Sequence, residues 1–305
     1  MEAKEIYKEY PFNQYKKIGE GTYGTVYDLN NGYVLKISKT DKHDLKNSTF
    51  CSELKIYNTL SELIKSKKIP KIIPEIRMFQ YFEKNNEITT YIEMEKLHKL
   101  GHYYIENLLN KLEDPRTTYF QKLSSRYKIF YFYVKVLKNY DILHQHNVAH
   151  LDGRLDNFML SKEDNIYFID FGLSVILNKD MNSFIVEQAK DSIDKYIQKK
   201  NLNDDLKKNH DDFKKKLLRC FLRIYDIWYF YTDFIRVIDR VIEDHKEYRN
   251  KIKKRIDRIL KDTGCEDCKD AIMEIIKITL KTRSKRSKDK RYYHRLFKYY
   301  YDLEK

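Results

Sequence analysis

Between residues 150 and 172 the chain sets carboxylates and an amide at fixed spacing: His150-Leu-Asp152-Gly-Arg154-Leu-Asp-Asn157, then, thirteen residues past the asparagine, Asp170-Phe171-Gly172. Such side chains can accept a proton and offer hard oxygen ligands to a small cation. Transfer of a phosphoryl group needs those parts, because its loose transition state carries dispersed negative charge and is helped mainly by positioning and by nearby cations. Taken singly, Asp and Asn often do no more than shape turns.

A second motif, upstream and in a compatible order, argues against that plainer reading: Gly19-Glu20-Gly21-Thr-Tyr-Gly24-Thr-Val26, followed by Val34-Leu-Lys36. A lone G-x-G-x-x-G is weak, since dinucleotide-binding folds also use it. There, however, the glycines should open a helix, with an acidic residue about 20 positions on. Here they lead through Val26 and Tyr27 to Asn30-Asn31-Gly32, a hairpin signal, and on to the β-rich run Tyr33–Ile37. The glycine loop is therefore expected between strands, where a backbone without Cβ atoms can approach phosphate oxygens closely.

An ammonium such as Lys36 needs an acidic partner to hold it in place. Glu53 is the candidate, on a helix over about 48–65, because Ile56, Tyr57 and Leu60 recur at helical spacing and put Glu53 on the inward face. Glu62 comes too late in that segment to be the first choice. Beyond Pro70 and Pro74 two β-like runs, 74–82 and 88–94, should complete a small antiparallel sheet. From His98 the pattern turns helical: one amphipathic helix carries Tyr104, Leu108, Leu109 and Leu112, and a longer one is expected over 127–146. Phe158–Leu160 and Ile166–Asp170 read as a hairpin, and Tyr225-Asp226-Ile227-Trp228 as the opening of an apolar helix.

Together these motifs resemble the catalytic loop, metal-binding motif and glycine loop of the protein kinase superfamily. The resemblance implies a two-lobed α+β fold, with a small antiparallel β-sheet lobe bearing one helix and a mainly α-helical lobe. Residues 1–95 would form the nucleotide-binding lobe, and 96–305 the helical catalytic lobe with a basic C-terminal segment. It implies ATP and Mg2+ as cofactors. Asp152 would accept the proton of the substrate hydroxyl, and Asn157 and Asp170 would hold magnesium. Arg154 stands where the family usually has a phosphate-facing lysine, and Lys36, paired with Glu53, would reach the nucleotide phosphates. Gly19, Glu20, Gly21, Gly24, Val26 and Val34 would enclose the nucleotide. Glu93-Met94-Glu95 falls where the family has its hinge, so that Glu93 and Glu95 would meet adenine through their backbone. His150 would be structural, packing under the metal-binding motif, while His144 and His146 read as helix-end residues. Asp226 would brace the backbone of the catalytic loop.

Two departures bear on substrate and control. Between Gly172 and Asp226 there is neither proline nor glycine, so the Ala-Pro-Glu anchor that shapes a peptide platform in typical members is missing. The arginine that usually precedes the catalytic Asp, and receives an activation-loop phosphate, is Leu151 here. Activity should then be constitutive or controlled by a partner. A protein Ser/Thr kinase is the leading reading, with compact viral kinases and the small tRNA-modification-associated kinases as similar members. The alternatives are a small-molecule kinase of the aminoglycoside or choline type and a nucleotide-binding pseudokinase scaffold.

Composition bounds these readings. At 305 residues, 42% hydrophobic and 14% aromatic, the chain can bury a substantial core despite 35% charged residues. All four prolines lie at or before Pro115, which favours long helices in the second half. The most apolar stretch, Ile129–Val134, is far short of the roughly 18 residues a membrane span requires, so no membrane partner is expected. Four scattered cysteines and no signal-like start lead to the expectation of a reducing cytoplasm or nucleus, that of a host cell if the chain is viral. Cys265-Glu-Asp-Cys268 has no second pair at zinc spacing and reads as a turn or helix start after Gly264. The net charge of +14 favours anionic partners, and its densest part, 281–298, interleaves tyrosines with lysine and arginine. That segment is either a nucleic-acid contact or a solvated basic helix.

Overall fold

The computed structural model describes residues 14–21, 24–41, 49–84, 87–177, 184–199 and 210–286. They form two compact units, one holding the chain up to Lys99 together with Met159–Gly172, the other holding Leu100–Phe158 and the chain from Leu173.

The first unit is built on a five-stranded antiparallel sheet of order β1-β2-β3-β5-β4. Its strands are β1 (Lys16–Gly21), β2 (Gly24–Asp28), β3 (Tyr33–Asp41), β4 (Ile76–Lys84) and β5 (Glu87–Glu95). The Asn30-Asn31-Gly32 signal makes the expected turn. Asn30 and Gly32 take φ of 58° and 85°, and the Asp28 and Asn31 side chains accept from the amides of Asn30 and Tyr33 at 3.0 and 3.1 Å. At the other end of β2, Gly24 has φ 153°, and a Cβ there would fall 2.2 Å from the Ile37 carbonyl oxygen. That position excludes every other residue type. Helix α1 (Thr49–Lys65) buries Glu53, Ile56, Tyr57 and Leu60 on one face, as their spacing predicts.

Three short strands extend this architecture: β6 (Lys99–Leu100), then, after the intervening helical segment, β8 (Phe158–Leu160) and β9 (Ile166–Phe168). The hairpin formed by the last two is tied to the sheet unit by two amides, His98 donating to Leu160 O at 2.9 Å and Phe168 to Ile72 O at 2.8 Å. Strand β9 stops at Phe168, so Asp170 lies beyond the hairpin and not within it.

The second unit is helical: α2 (Gly101–Glu113), α3 (Tyr119–Gln145), α4 (Phe184–Lys199), α5 (His210–Ile238), α6 (Lys246–Asp262) and α7 (Lys269–Arg286). A two-residue pairing joins β7 (Val148–Ala149) to β10 (Val175–Ile176). Its core is aromatic, with Phe132 and Phe234 stacked at 6.4 Å and Tyr133 and Phe230 at 5.6 Å.

Two helices start earlier than the periodicity predicts. Helix α3 begins at Tyr119 and not at 127, because Thr118 and Gln121 form a capping box in which each side chain accepts from the other's amide. Helix α5 begins at His210, so Tyr225–Trp228 lies in its interior and does not open it. Asp211 and Asp212 in its first turn favour that start, and no Gly or Pro interrupts the run that follows. Residues 200–209 and 287–305, which include part of the charged run after Asp194 and most of the basic segment, lie outside the described residues. Among the described residues no helix is long and apolar enough to cross a membrane.

Candidate active site

Within the sheet unit, Lys36 projects from β3, whose register sets it opposite Val26 on β2 and Ile92 on β5. Its Nζ lies 3.3 Å from Glu53 Oε1 and 3.3 Å from Asp170 Oδ1. Burial opposes the ammonium charge, yet the two carboxylates hold the Lys36 pKa above its ordinary value. Burial raises the pKa of Glu53 and the Asp170 charge adds to that effect, while Lys36 opposes both. The Phe171 amide also donates to Glu53, and the buried Phe171 ring packs edge-on against Tyr57 at 5.1 Å. Thus α1 and the Asp170-Phe171-Gly172 turn are joined by a hydrogen bond and an aromatic contact. Asp170 adopts φ 60°, a left-handed backbone that Asp tolerates, and its Oδ1 accepts from the Gly172 amide at 3.4 Å.

The remaining nucleotide candidates occupy the same sheet. Gly19 pairs with Val26, Gly21 with Gly24, and the buried Val34 with Met94. Exposed Glu20 makes a 2.7 Å ion pair with Lys17. Glu93 and Glu95, the expected adenine contacts, lie at the end of β5. Strand β5 has neighbours on both sides and runs through Glu95, so their backbone lies inside the ladder. The Glu95 amide donates to Glu75 O, and its carboxylate pairs with Lys71 at 2.7 Å. The connection that leaves the sheet is Lys96–His98.

Within the helical unit, Asp152 is buried and receives both arms of the Arg154 guanidinium, Nε to Oδ1 and Nη2 to Oδ2, each at 2.9 Å. This fork raises the Arg154 pKa against the opposing effect of burial. Asn157 Nδ2 donates to the Asp152 carbonyl at 3.0 Å, which fixes the amide and leaves Oδ1 as the atom able to ligate. Beneath the loop, Gly153 passes so close to α5 that a Cβ would lie 2.7 Å from the Phe230 nitrogen.

The frame for this loop is Asp226, fully buried in α5. Its Oδ2 accepts from the His150 amide at 2.9 Å and contacts His144 Nε2 at 3.0 Å, while Oδ1 accepts from the Leu151 amide at 2.5 Å. Leu151 needs such a clamp, since φ of 63° is strained for a side chain of its size. A second α5 carboxylate, Asp233, accepts from the Leu155 amide at 2.9 Å and is itself paired with Arg236 at 2.8 Å. His150 is buried, its carbonyl held by Ser174 Oγ at 2.8 Å and its Nδ1 3.4 Å from the Asp152 amide. Sequence reading found Asp226 through the resemblance but missed His144 and Asp233 as parts of the frame. Their partners lie 82 and 78 residues away, with no local pattern to reveal them.

A family model described as "Protein kinase domain" matches residues 12–194, more than half of the chain. The chain belongs to the protein kinase family. Among its relatives, a dual specificity protein kinase, zakA, of Dictyostelium discoideum is 29% identical over 53% of this chain and 19% of that protein. The CBL-interacting protein kinase 28 of Oryza sativa is 24% identical over 53% of the chain and 33% of its own length. The human serine/threonine-protein kinase greatwall is 27% identical over 56% and 17%. The matched part therefore spans a third or less of each of these relatives.

Membership implies use of ATP and Mg2+ in general, and the donor chemistry of this kinase fits both. Asp170 would offer a carboxylate oxygen and Asn157 an amide oxygen, each a hard donor of the kind magnesium takes. Lys36 is a part-buried ammonium suited to phosphate. Among the described residues there is no cluster of three or more His, Cys, Asp or Glu that could hold a metal.

Proposed function

We propose that this kinase transfers the γ-phosphoryl group of Mg-ATP to a Ser or Thr hydroxyl of a protein. The observation that carries the reading is the Lys36 ammonium suspended between Glu53 and Asp170, a part-buried cation held at a set position by two carboxylates. Magnesium, when bound, neutralises phosphate charge. Lys36 then orients the nucleotide phosphates, with Glu53 holding its ammonium in place. Asp152 accepts the proton of the incoming hydroxyl through a carboxylate oxygen, and Arg154 keeps that carboxylate oriented. Asn157 and Asp170 would be the residues to hold that metal, through side-chain oxygens. The Ser/Thr preference is supported by the cation two residues after Asp152 and by the name of the greatwall relative.

Labelled ATP, magnesium and a mixed panel of basic and acidic proteins test the reading, followed by phosphoamino-acid analysis. Label on Ser or Thr is expected. Label confined to Tyr would overturn the residue preference, and nucleotide binding without any label on protein would favour a scaffold or a small-molecule substrate.

Two further outcomes follow from the same residues. Asp170→Asn weakens magnesium-nucleotide binding roughly 10- to 100-fold, the scale on which groups around a metal act. Titration calorimetry with Mg-ATP checks this, and unaltered affinity would remove Asp170 from the metal site. Because Leu151 offers no charge to an activation-segment phosphate, phosphatase treatment is expected to leave the rate of substrate phosphorylation unchanged. A rate that collapses on treatment and returns after autophosphorylation would show dependence on phosphate.

A further inference from the structure

Helix α3 is apolar on two sides. One side, with Ile129, Phe132, Val136 and Tyr140, is buried in the helical unit. The other carries Tyr119, Phe120, Leu123, Tyr127 and Tyr131, all exposed, with Phe120 at 79% and Tyr127 at 66%. At about 100° per residue these five fall within about 120° of one another, a continuous stripe along the first half of the helix. A helix that is hydrophobic all round is ordinarily covered on every side, and a contiguous apolar patch left in water marks an interaction site.

Charge narrows the kind of partner. From Tyr119 through Tyr140 the helix contains Lys122, Arg126, Lys128, Lys135 and Lys138 and not one acidic residue. Helix α6 is anchored alongside, where the Tyr133 hydroxyl donates to the Tyr248 carbonyl at 3.0 Å, and it places Lys251 Nζ 5.8 Å from the Phe130 ring centroid. The rings are arranged as a row: Tyr127 and Tyr131 lie nearly parallel at 6.2 Å, and Tyr119 and Phe120 meet edge-on at 5.8 Å. A second copy of the chain is a poor occupant, because two such cationic faces would repel. Flat rings in sequence, flanked by cations, are the elements that bind single strands, in which each base offers a π-face and each link a phosphate.

We propose that this outward face of α3, flanked by Lys251 of α6, is a binding platform for single-stranded nucleic acid. The proposal is independent of the phosphoryl-transfer reading, since none of these residues belongs to the candidate active site. It also differs from a contact made by the basic C-terminal segment.

Fluorescence anisotropy of the full chain with a short, labelled, mixed-sequence oligoribonucleotide tests it. The variant Tyr127→Ala/Tyr131→Ala is expected to bind roughly tenfold or more weakly, the effect of losing stacked bases. Arg126→Ala/Lys128→Ala is expected to flatten the dependence of log affinity on log salt by about 1.4, at about 0.7 per phosphate contact. Thermal unfolding and protein phosphorylation should be unchanged in both variants, since the substituted side chains are exposed. Photocrosslinking should label peptides of α3. Unchanged affinity in the tyrosine variant, equal affinity for the corresponding duplex, or crosslinks confined to the C-terminal segment would each overturn the proposal. So would a loss of binding to phosphatidylserine vesicles, but not to RNA, when the tyrosines are removed.

Discussion

Replacing Asp152 by Asn lowers turnover by roughly 10²- to 10⁴-fold, the contribution of a positioned proton acceptor, while leaving nucleotide affinity essentially unchanged. The side chain keeps its size but loses the ability to accept a proton. The change also removes one charge from a two-armed pair, since Arg154 would then face a neutral amide in place of the two oxygens it now binds at 2.9 Å. Arg154→Ala alone and combined with Asp152→Asn separates the two effects. If Arg154 acts by holding the base, its removal has little further effect once the base is gone. Steady-state phosphorylation of a protein substrate and titration with Mg-ATP measure both quantities. A turnover preserved in Asp152→Asn would mean that another group accepts the proton.

Asp226→Ala should destabilise the helical unit by about 3–5 kcal/mol, in keeping with the loss of a buried carboxylate on which three polar groups depend. The carboxylate is fully buried and satisfies the amides of His150 and Leu151 as well as His144 Nε2. Its loss would orphan these groups, each at a penalty of about 1–3 kcal/mol, and would release the strained Leu151 backbone. With urea slopes of about 1–3 kcal/mol/M, the unfolding midpoint should fall by about 1 M or more. Trp228, the single tryptophan, is buried two residues away and reports the transition by its fluorescence. A midpoint within error of the parent would show that the frame relaxes without strain.

The parts of the site that could be read from sequence are those whose determinants are close together. Asp152, Arg154 and Asn157 sit within six residues, and their mutual bonds span two to five positions. Lys36 follows a turn written in Asn30-Asn31-Gly32, and Glu53 shares a helical face with Ile56, Tyr57 and Leu60. Spacing fails where tertiary contacts decide. The buried contact of His144 with Asp226 has no local signature. The strand expected over 88–94 runs from Glu87 through Glu95 with β3 and β4 on either side, a fact of sheet order that strand propensity does not contain. Helix α3 is similar. Its aromatic content is plain in the sequence, but only packing distinguishes the covered face from the exposed one.

The position of Asp226 in the chain also orders events during synthesis. Its contacts with the catalytic loop bridge 75 and 76 residues, so the loop that carries Asp152 lacks this anchor until α5 has been made and has docked. The motif from His150 to Gly172 is thus translated well before the carboxylate that organises its backbone. On the proposed reading, a ribosome-bound chain ending short of α5 would display every residue of that motif and still be catalytically silent, so phosphoryl transfer would wait until α5 exists.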